Sequence, residues 1–223
     1  MNRRLTYKEV VNMDDQITNY LLDLLPTDNG WIKDLQQQAE EDRIPIMDSI
    51  GMEFLLQLIR LQKPKRILEI GTAIGYSALR MLEVSPNSNI VTIEKDDKRY
   101  KEAIENINKR NKHTNIQVIH GDALEELEKL SLSDKFNCIF IDAAKGQYKN
   151  FFEQSSPLLA DNGFIITDNV LFRGYVADPN FEHPRYKKMV EKIRAFNEWL
   201  MNHSDYVTTI LPIGDGIAIS YKK

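Results

Sequence analysis

Side chains able to do chemistry gather in three places along the chain. The first is Leu68-Glu69-Ile70-Gly71-Thr72-Ala73-Ile74-Gly75-Tyr76-Ser77, where an apolar run meets a helical pattern. Glycines at 71 and 75 let a backbone turn tightly and approach a ligand where the next helix begins. A dinucleotide fingerprint needs glycine where this chain has Ala73 and again where it has Tyr76. A phosphate-free ligand tolerates that departure; for the glycine pair alone, a plain strand-to-helix turn stays open. The second place is Glu94, roughly 20 residues further on, where an acid can accept hydrogen bonds from two ribose hydroxyls. A solvated acid beside Lys95 is the plainer alternative. Asp122 follows His120-Gly121 and is suited both to a ligand contact and to capping a helix that starts at 123.

The third place pairs Ile141-Asp142-Ala143-Ala144-Lys145-Gly146 with Thr167-Asp168-Asn169. Neighbouring parallel strands end side by side, so Asp142, Asp168 and Asn169 can converge. Two carboxylates and an amide suit a hard divalent cation such as Mg²⁺, with water or substrate completing the octahedron. For either acid alone, a loop hydrogen bond is the simpler role. Lys145 fits a general base beside that cation and equally a surface lysine on a first helical turn. His113, His120, His183 and His203 show no paired spacing, so zinc has no support.

These residues need strand ends to hold them. Residues 12–62 show helical spacing: one helix carries Ile17, Tyr20, Leu21, Leu24 and Leu25 and ends at Pro26. A second is capped by Asn29 and runs to about Arg43, and a third is capped by Asp48. After Pro64, apolar runs at Arg66–Ile70, Ile90–Glu94, Ile116–His120, Phe136–Asp142 and Gly163–Thr167 alternate with helical patterns near 75–84, 97–110, 122–131 and 146–159. Such alternation predicts a parallel sheet covered on both faces. A helix over 184–203 follows, then strands at 206–212 and 216–221 around the turn Gly214-Asp215-Gly216. The expectation is one α/β domain, Rossmann-like and mostly parallel, ending in an antiparallel hairpin. Residues 1–62 form its N-terminal helical segment and 63–223 its α/β core.

Composition sets the bounds. A chain of 223 residues can bury about 70% of its surface without disulfides. The net charge of −4 does not suggest a strongly basic nucleic-acid module. No window approaches a membrane span, and Met1–Glu9 is not followed by the apolar stretch of a secretory signal. The single cysteine, Cys138, sits in an apolar run and reads as a buried hydrophobe; a reducing cytoplasm is compatible with it.

Taken together, Glu69-x-Gly71-x-x-x-Gly75-Tyr76-Ser77-Ala78, Asp142-Ala143-Ala144-Lys145 and Asp168-Asn169 resemble the metal-dependent S-adenosylmethionine O-methyltransferases of the catechol and caffeoyl-CoA type. The terminal hairpin is typical of such enzymes. The likeness runs from about residue 38 onward. More closely, Ile44-Pro45-Ile46-Met47, Ala144-Lys145-Gly146-Gln147-Tyr148, Thr167-Asp168-Asn169-Val170-Leu171-Phe172 and Pro212-Ile213-Gly214-Asp215-Gly216 resemble the bacterial tRNA 5-hydroxyuridine methyltransferases. These make 5-methoxyuridine at the wobble position of the anticodon. The resemblance implies that Met47, Glu69, Gly71, Ser77, Glu94, Asp122, Ala123 and Asp142 belong to the cofactor site. It also implies that Asp142, Asp168 and Asn169 hold Mg²⁺, that the protein is a cytoplasmic homodimer, and that its partner is a tRNA anticodon loop. A catechol-like or caffeoyl-CoA-like small molecule is the alternative substrate. Two basic regions suit phosphates: Lys109-Arg110-Asn111-Lys112-His113, and Arg173, Arg185, Lys187 and Lys188. Tyr175, Phe181 and Tyr186, near the second, could stack a splayed base or pack on one another.

Overall fold

The structure, a computed structural model, describes residues 7–223, with side chains from residue 16 onward; residues 1–6, which carry most of the basic start, lie outside it. Three helices come first: α1 (Tyr7–Leu24), α2 (Gly30–Glu41) and α3 (Ser49–Gln62). Asn29 caps α2 through Ile32 N, and Asp48 caps α3 through the amides of Ile50 and Gly51. Strands and helices then alternate: β1 (Arg66–Ile70), α4 (Tyr76–Val84), β2 (Asn89–Glu94), α5 (Asp97–Lys109), β3 (Ile116–His120), α6 (Ala123–Leu127), β4 (Phe136–Ile141), α7 (Tyr148–Ser155), β5 (Leu159–Thr167), α8 (Lys187–Met201), β6 (Tyr206–Leu211) and β7 (Ile217–Lys222).

The sheet order is β3-β2-β1-β4-β5-β7-β6. β1 to β5 are parallel, while β7 runs antiparallel to β5 and β6 antiparallel to β7. Alternation along β1 sends Ile67 and Leu68 into different cores. Ile67, Cys138 and Phe140 pack with Met52, Leu55 and Leu56 of α3 and Leu79 of α4. On the other face, Leu68, Ile139 and Ile165 meet Phe151 and Phe152 of α7 and Phe196 and Leu200 of α8. Cys138 is fully buried and burial pushes its thiol well above the usual range, as a core residue requires. Among the described residues, no helix is long and apolar enough to cross a membrane.

Two expectations need correction. β5 starts at Leu159, four residues before Gly163, because Leu159 pairs with Phe136 and Asn162 turns in the left-handed region. α6 stops at Leu127, well short of 131. The apolar stripe of α1 is not buried against the domain: Ile17 is 51% and Leu24 61% exposed.

Candidate active site

Strand order reverses between β1 and β4, and a crevice opens at the carboxyl ends of strands at such a switch point. Here it is a cavity of about 1410 Å³. The backbone after β1 is tied down on both sides: Gly71 N donates to Ile93 O and Asp142 N to Ile70 O, each at 3.0 Å. Gly71 has φ +100°, and a Cβ there would lie 2.0 Å from the carbonyl oxygen of Asp142. No other residue fits between those strand ends. Ala73 takes φ +47° where the dinucleotide fingerprint has glycine. Gly75 caps α4 without a side chain, so no side chain satisfies the first-turn amides of α4, and Tyr76 and Ser77 of that turn line the cavity.

Met47, Gly71, Ser77, Glu94, Asp122, Ala123 and Asp142 all line this cavity. Glu94 accepts from Ala73 N and Asp96 N, both at 2.8 Å. Asp122 combines both roles considered for it, since it lines the cavity and also caps α6 through Leu124 N at 3.0 Å. Lys95 pairs with it at 2.6 Å, and that bond holds the Asp122 carboxyl below its ordinary range. Glu69 departs from the expectation. It is fully buried on the α4 side of β1 and is not part of the cavity wall. Its carboxylate accepts from Ser77 Oγ and, at 2.6 Å, from Thr92 Oγ1. It therefore supports Ser77 from beneath.

Ile141 pairs with Thr167, so Asp142 and Asp168 leave β4 and β5 together. Burial raises both carboxyls, and Asp142 raises Asp168 further by like charge. Among the described residues no hydrogen-bond donor reaches the Asp142 carboxylate, and only the Lys145 charge favours its ionised form. Lys145 Nζ donates to Asn169 Oδ1 and lies 6.0 Å from the Phe172 ring centroid. No three His, Cys, Asp or Glu side chains group for metal binding among the described residues; the third oxygen here is an amide. Two sequestered carboxylates of raised pKa beside an amide oxygen are a donor set that a hard cation would satisfy. The residues fit the metal.

The segment after β5 separates the basic residues from the aromatic ones. Its aromatic rings stack on each other: Tyr175 on Phe181 at 4.5 Å and His183 on Tyr186 at 4.6 Å. They form a self-packed flap. Arg173 lines the cavity, but Arg185, Lys187 and Lys188 do not, and Lys187 is held by Glu182 at 2.7 Å. In the other basic region, Arg110 turns inward to Asn106 O and stacks on Trp31. Residue types alone had not marked Thr72, Tyr76 or Asp215 as cavity wall, nor Ile17 and Leu21 of α1. For Asp215, its place in the hairpin turn was the available signal. Asp48, expected only as a cap, lines the cavity as well.

The family model described as O-methyltransferase matches residues 26–223. The chain belongs to that family. The O-methyltransferase is 30% identical over 219 residues to the catechol O-methyltransferase of Niastella koreensis, covering 94% of this chain and 97% of that protein. It is 29% identical to the caffeoyl-CoA O-methyltransferase of Stellaria longipes, covering 91% and 88%. Among solved structures, a Bacillus cereus O-methyltransferase in complex with SAH superposes with TM-score 0.80 at 29% identity, covering 93% and 97%. SAH-bound PaMTH1 of Podospora anserina gives 0.86 at 26% identity over the full length of both chains. The class is therefore that of S-adenosylmethionine-dependent O-methyltransferases of caffeoyl-CoA and catechol type, and the fold is the Rossmann-like methyltransferase fold.

Proposed function

We propose that this O-methyltransferase methylates the 5-hydroxyl of 5-hydroxyuridine at the tRNA wobble position, with Mg²⁺ held by Asp142, Asp168 and Asn169. One observation carries the reading. The four segments that resemble wobble-uridine methyltransferases lie far apart in sequence, yet Pro45, Met47, Lys145, Asn169, Ile213 and Asp215 from them line one cavity. The 5-hydroxyl and the neighbouring O4 carbonyl offer two adjacent oxygens, as a catechol does.

When bound, S-adenosylmethionine supplies an electrophilic methyl group, and Mg²⁺ a Lewis acid that acidifies and orients the hydroxyl. The protein's part is positioning. Glu94 and Asp122 hold the nucleoside end of the cofactor, and the α4 amino end with Ser77 holds its amino-acid end. Asp142 and Asp168 stay ionised against the cation. Lys145, at the edge of that cluster, takes the hydroxyl proton in its neutral amine form, having first released its own proton to solvent. Arg173, exposed at the rim and without an ion-pair partner among the described residues, meets a flanking phosphate. The exposed side of α1 is the surface a second copy of the chain would cover in a homodimer; sedimentation would report it.

A small catechol-like substrate is the second reading, favoured by the apolar wall of Ile17, Leu21, Pro45, Ile46 and Leu171 and by the names of the relatives. Competition decides between them: purified protein is given tRNA bearing 5-hydroxyuridine together with a catechol. Selective methylation of the tRNA supports the first reading, and methylation of the catechol alone the second.

A further inference from the structure

Glu69 is an acid the transfer chemistry does not use, sealed under the cofactor loop. From β2, Thr92 donates to it, and Glu94 adds a second negative charge nearby. Cys138 of β4 lies within reach of its charge, and the Asp142 carboxylate beyond the end of β4 adds a weaker negative field. From α4, Ser77 donates to it. Thr72 completes the chain through Thr92 at 2.6 Å. No lysine, arginine or histidine is among these described neighbours. Burial pushes the carboxyl up to about 7, the flanking acids acting in the same direction.

A hydroxyl has one proton. While Glu69 is ionised, Ser77 spends that proton on Glu69 and turns only lone pairs toward the cavity. The amino end of α4, whose first-turn amides lack a side-chain cap, attracts an anion. The anionic end of an S-adenosyl amino acid is its α-carboxylate. Ser77 can donate to that carboxylate only if its own proton swings away from Glu69. We propose that binding of the cofactor's carboxylate at Ser77 is coupled to uptake of one solvent proton by Glu69, which then donates to Ser77 Oγ while Ser77 donates to the ligand. Glu69 is thus a positioning residue that makes cofactor affinity proton-linked. The inference rests on the reading that the cavity takes S-adenosylmethionine.

Calorimetry with S-adenosylhomocysteine and 5′-methylthioadenosine, which lacks the amino-acid end, tests it at constant metal concentration. The Kd for S-adenosylhomocysteine should rise about tenfold between pH 6 and 8, while that for 5′-methylthioadenosine stays flat. Buffers of differing ionisation enthalpy should report nearly one proton taken up at pH 8. Glu69→Gln, which keeps a donor for Ser77 and an acceptor for Thr92, should bind S-adenosylhomocysteine without that slope. Equal slopes for the two ligands, or no proton uptake, would overturn the coupling even if the variant failed to fold. Absence of S-adenosylhomocysteine binding at every pH would instead remove the cofactor reading itself.

Discussion

Ala73 N donates to the Glu94 carboxylate at 2.8 Å, across 21 residues of sequence. The acid that faces the cofactor cavity therefore also pins the left-handed turn after β1. Glu94→Ala should weaken S-adenosylmethionine binding by about 1.5–3 kcal/mol, the worth of hydrogen bonds to a charged group. The melting transition should survive, since the cores lie elsewhere. Titration calorimetry showing an unchanged Kd would take Glu94 out of the site.

Asp168→Ala removes one of two buried acids at the strand ends. Turnover should fall by several kcal/mol in transition-state terms, because the cation would lose both its grip and its effect on the hydroxyl. Excess chelator should abolish activity in the unaltered protein, and Mg²⁺ should restore it. Full turnover in chelator would refute the metal assignment.

Gly71→Ala forces a Cβ against the Asp142 carbonyl at 2.0 Å and adds strain at φ +100°. The cost should well exceed the ~1 kcal/mol at stake in an unstrained glycine replacement. Thermal melts should show a large loss, and cofactor and metal binding should fail together since β1 and β4 must part. A variant that melts normally and still binds both would contradict the close approach.

Glu69 also links stability to pH. Its folded-state value of about 7 lies above the ordinary 4.5. The folded protein thus holds a proton that the unfolded chain releases, and the stabilisation is complete below about pH 4.5. It fades as pH rises through 7, by ~3 kcal/mol. Glu69→Gln should lose this part of the pH dependence in denaturant titrations; a curve parallel to the unaltered protein would count against a buried, raised Glu69.

Arg173 stands at the cavity rim, whereas Arg185 and Lys188 are exposed residues outside the cavity wall. If Arg173 meets a phosphate, Arg173→Ala should lower tRNA affinity and reduce its salt slope by about one, with cofactor affinity unchanged. Lys187→Ala should do less, because Lys187 is already paired with Glu182. Filter binding across a salt series separates the two.

Much of this architecture was legible from residue order. Arg66–Ile70 and Ile116–His120 have the bounds expected of them, since strands between two helical layers read as uninterrupted apolar runs. Asp142 and Asp168 could be placed because parallel strands must end together. What stayed hidden depends on contacts distant in sequence. Glu69 reads as a ligand-facing acid near the end of β1, and only its pairing with Thr92 and the approach of α4 reveal its burial. The aromatics after Phe172 read equally as a base-stacking surface, and their mutual stacking emerges only once the flap closes on itself. The stripe on α1 carries the pattern of a buried face, yet this domain offers it little to pack against.

Mass spectrometry of wobble nucleosides in tRNA from a strain deleted for this gene reads the substrate in the cell. 5-Methoxyuridine should disappear and 5-hydroxyuridine accumulate, with the unaltered gene restoring the pattern and the Asp168→Ala form failing to. Unchanged 5-methoxyuridine in the deletion strain would contradict the tRNA reading.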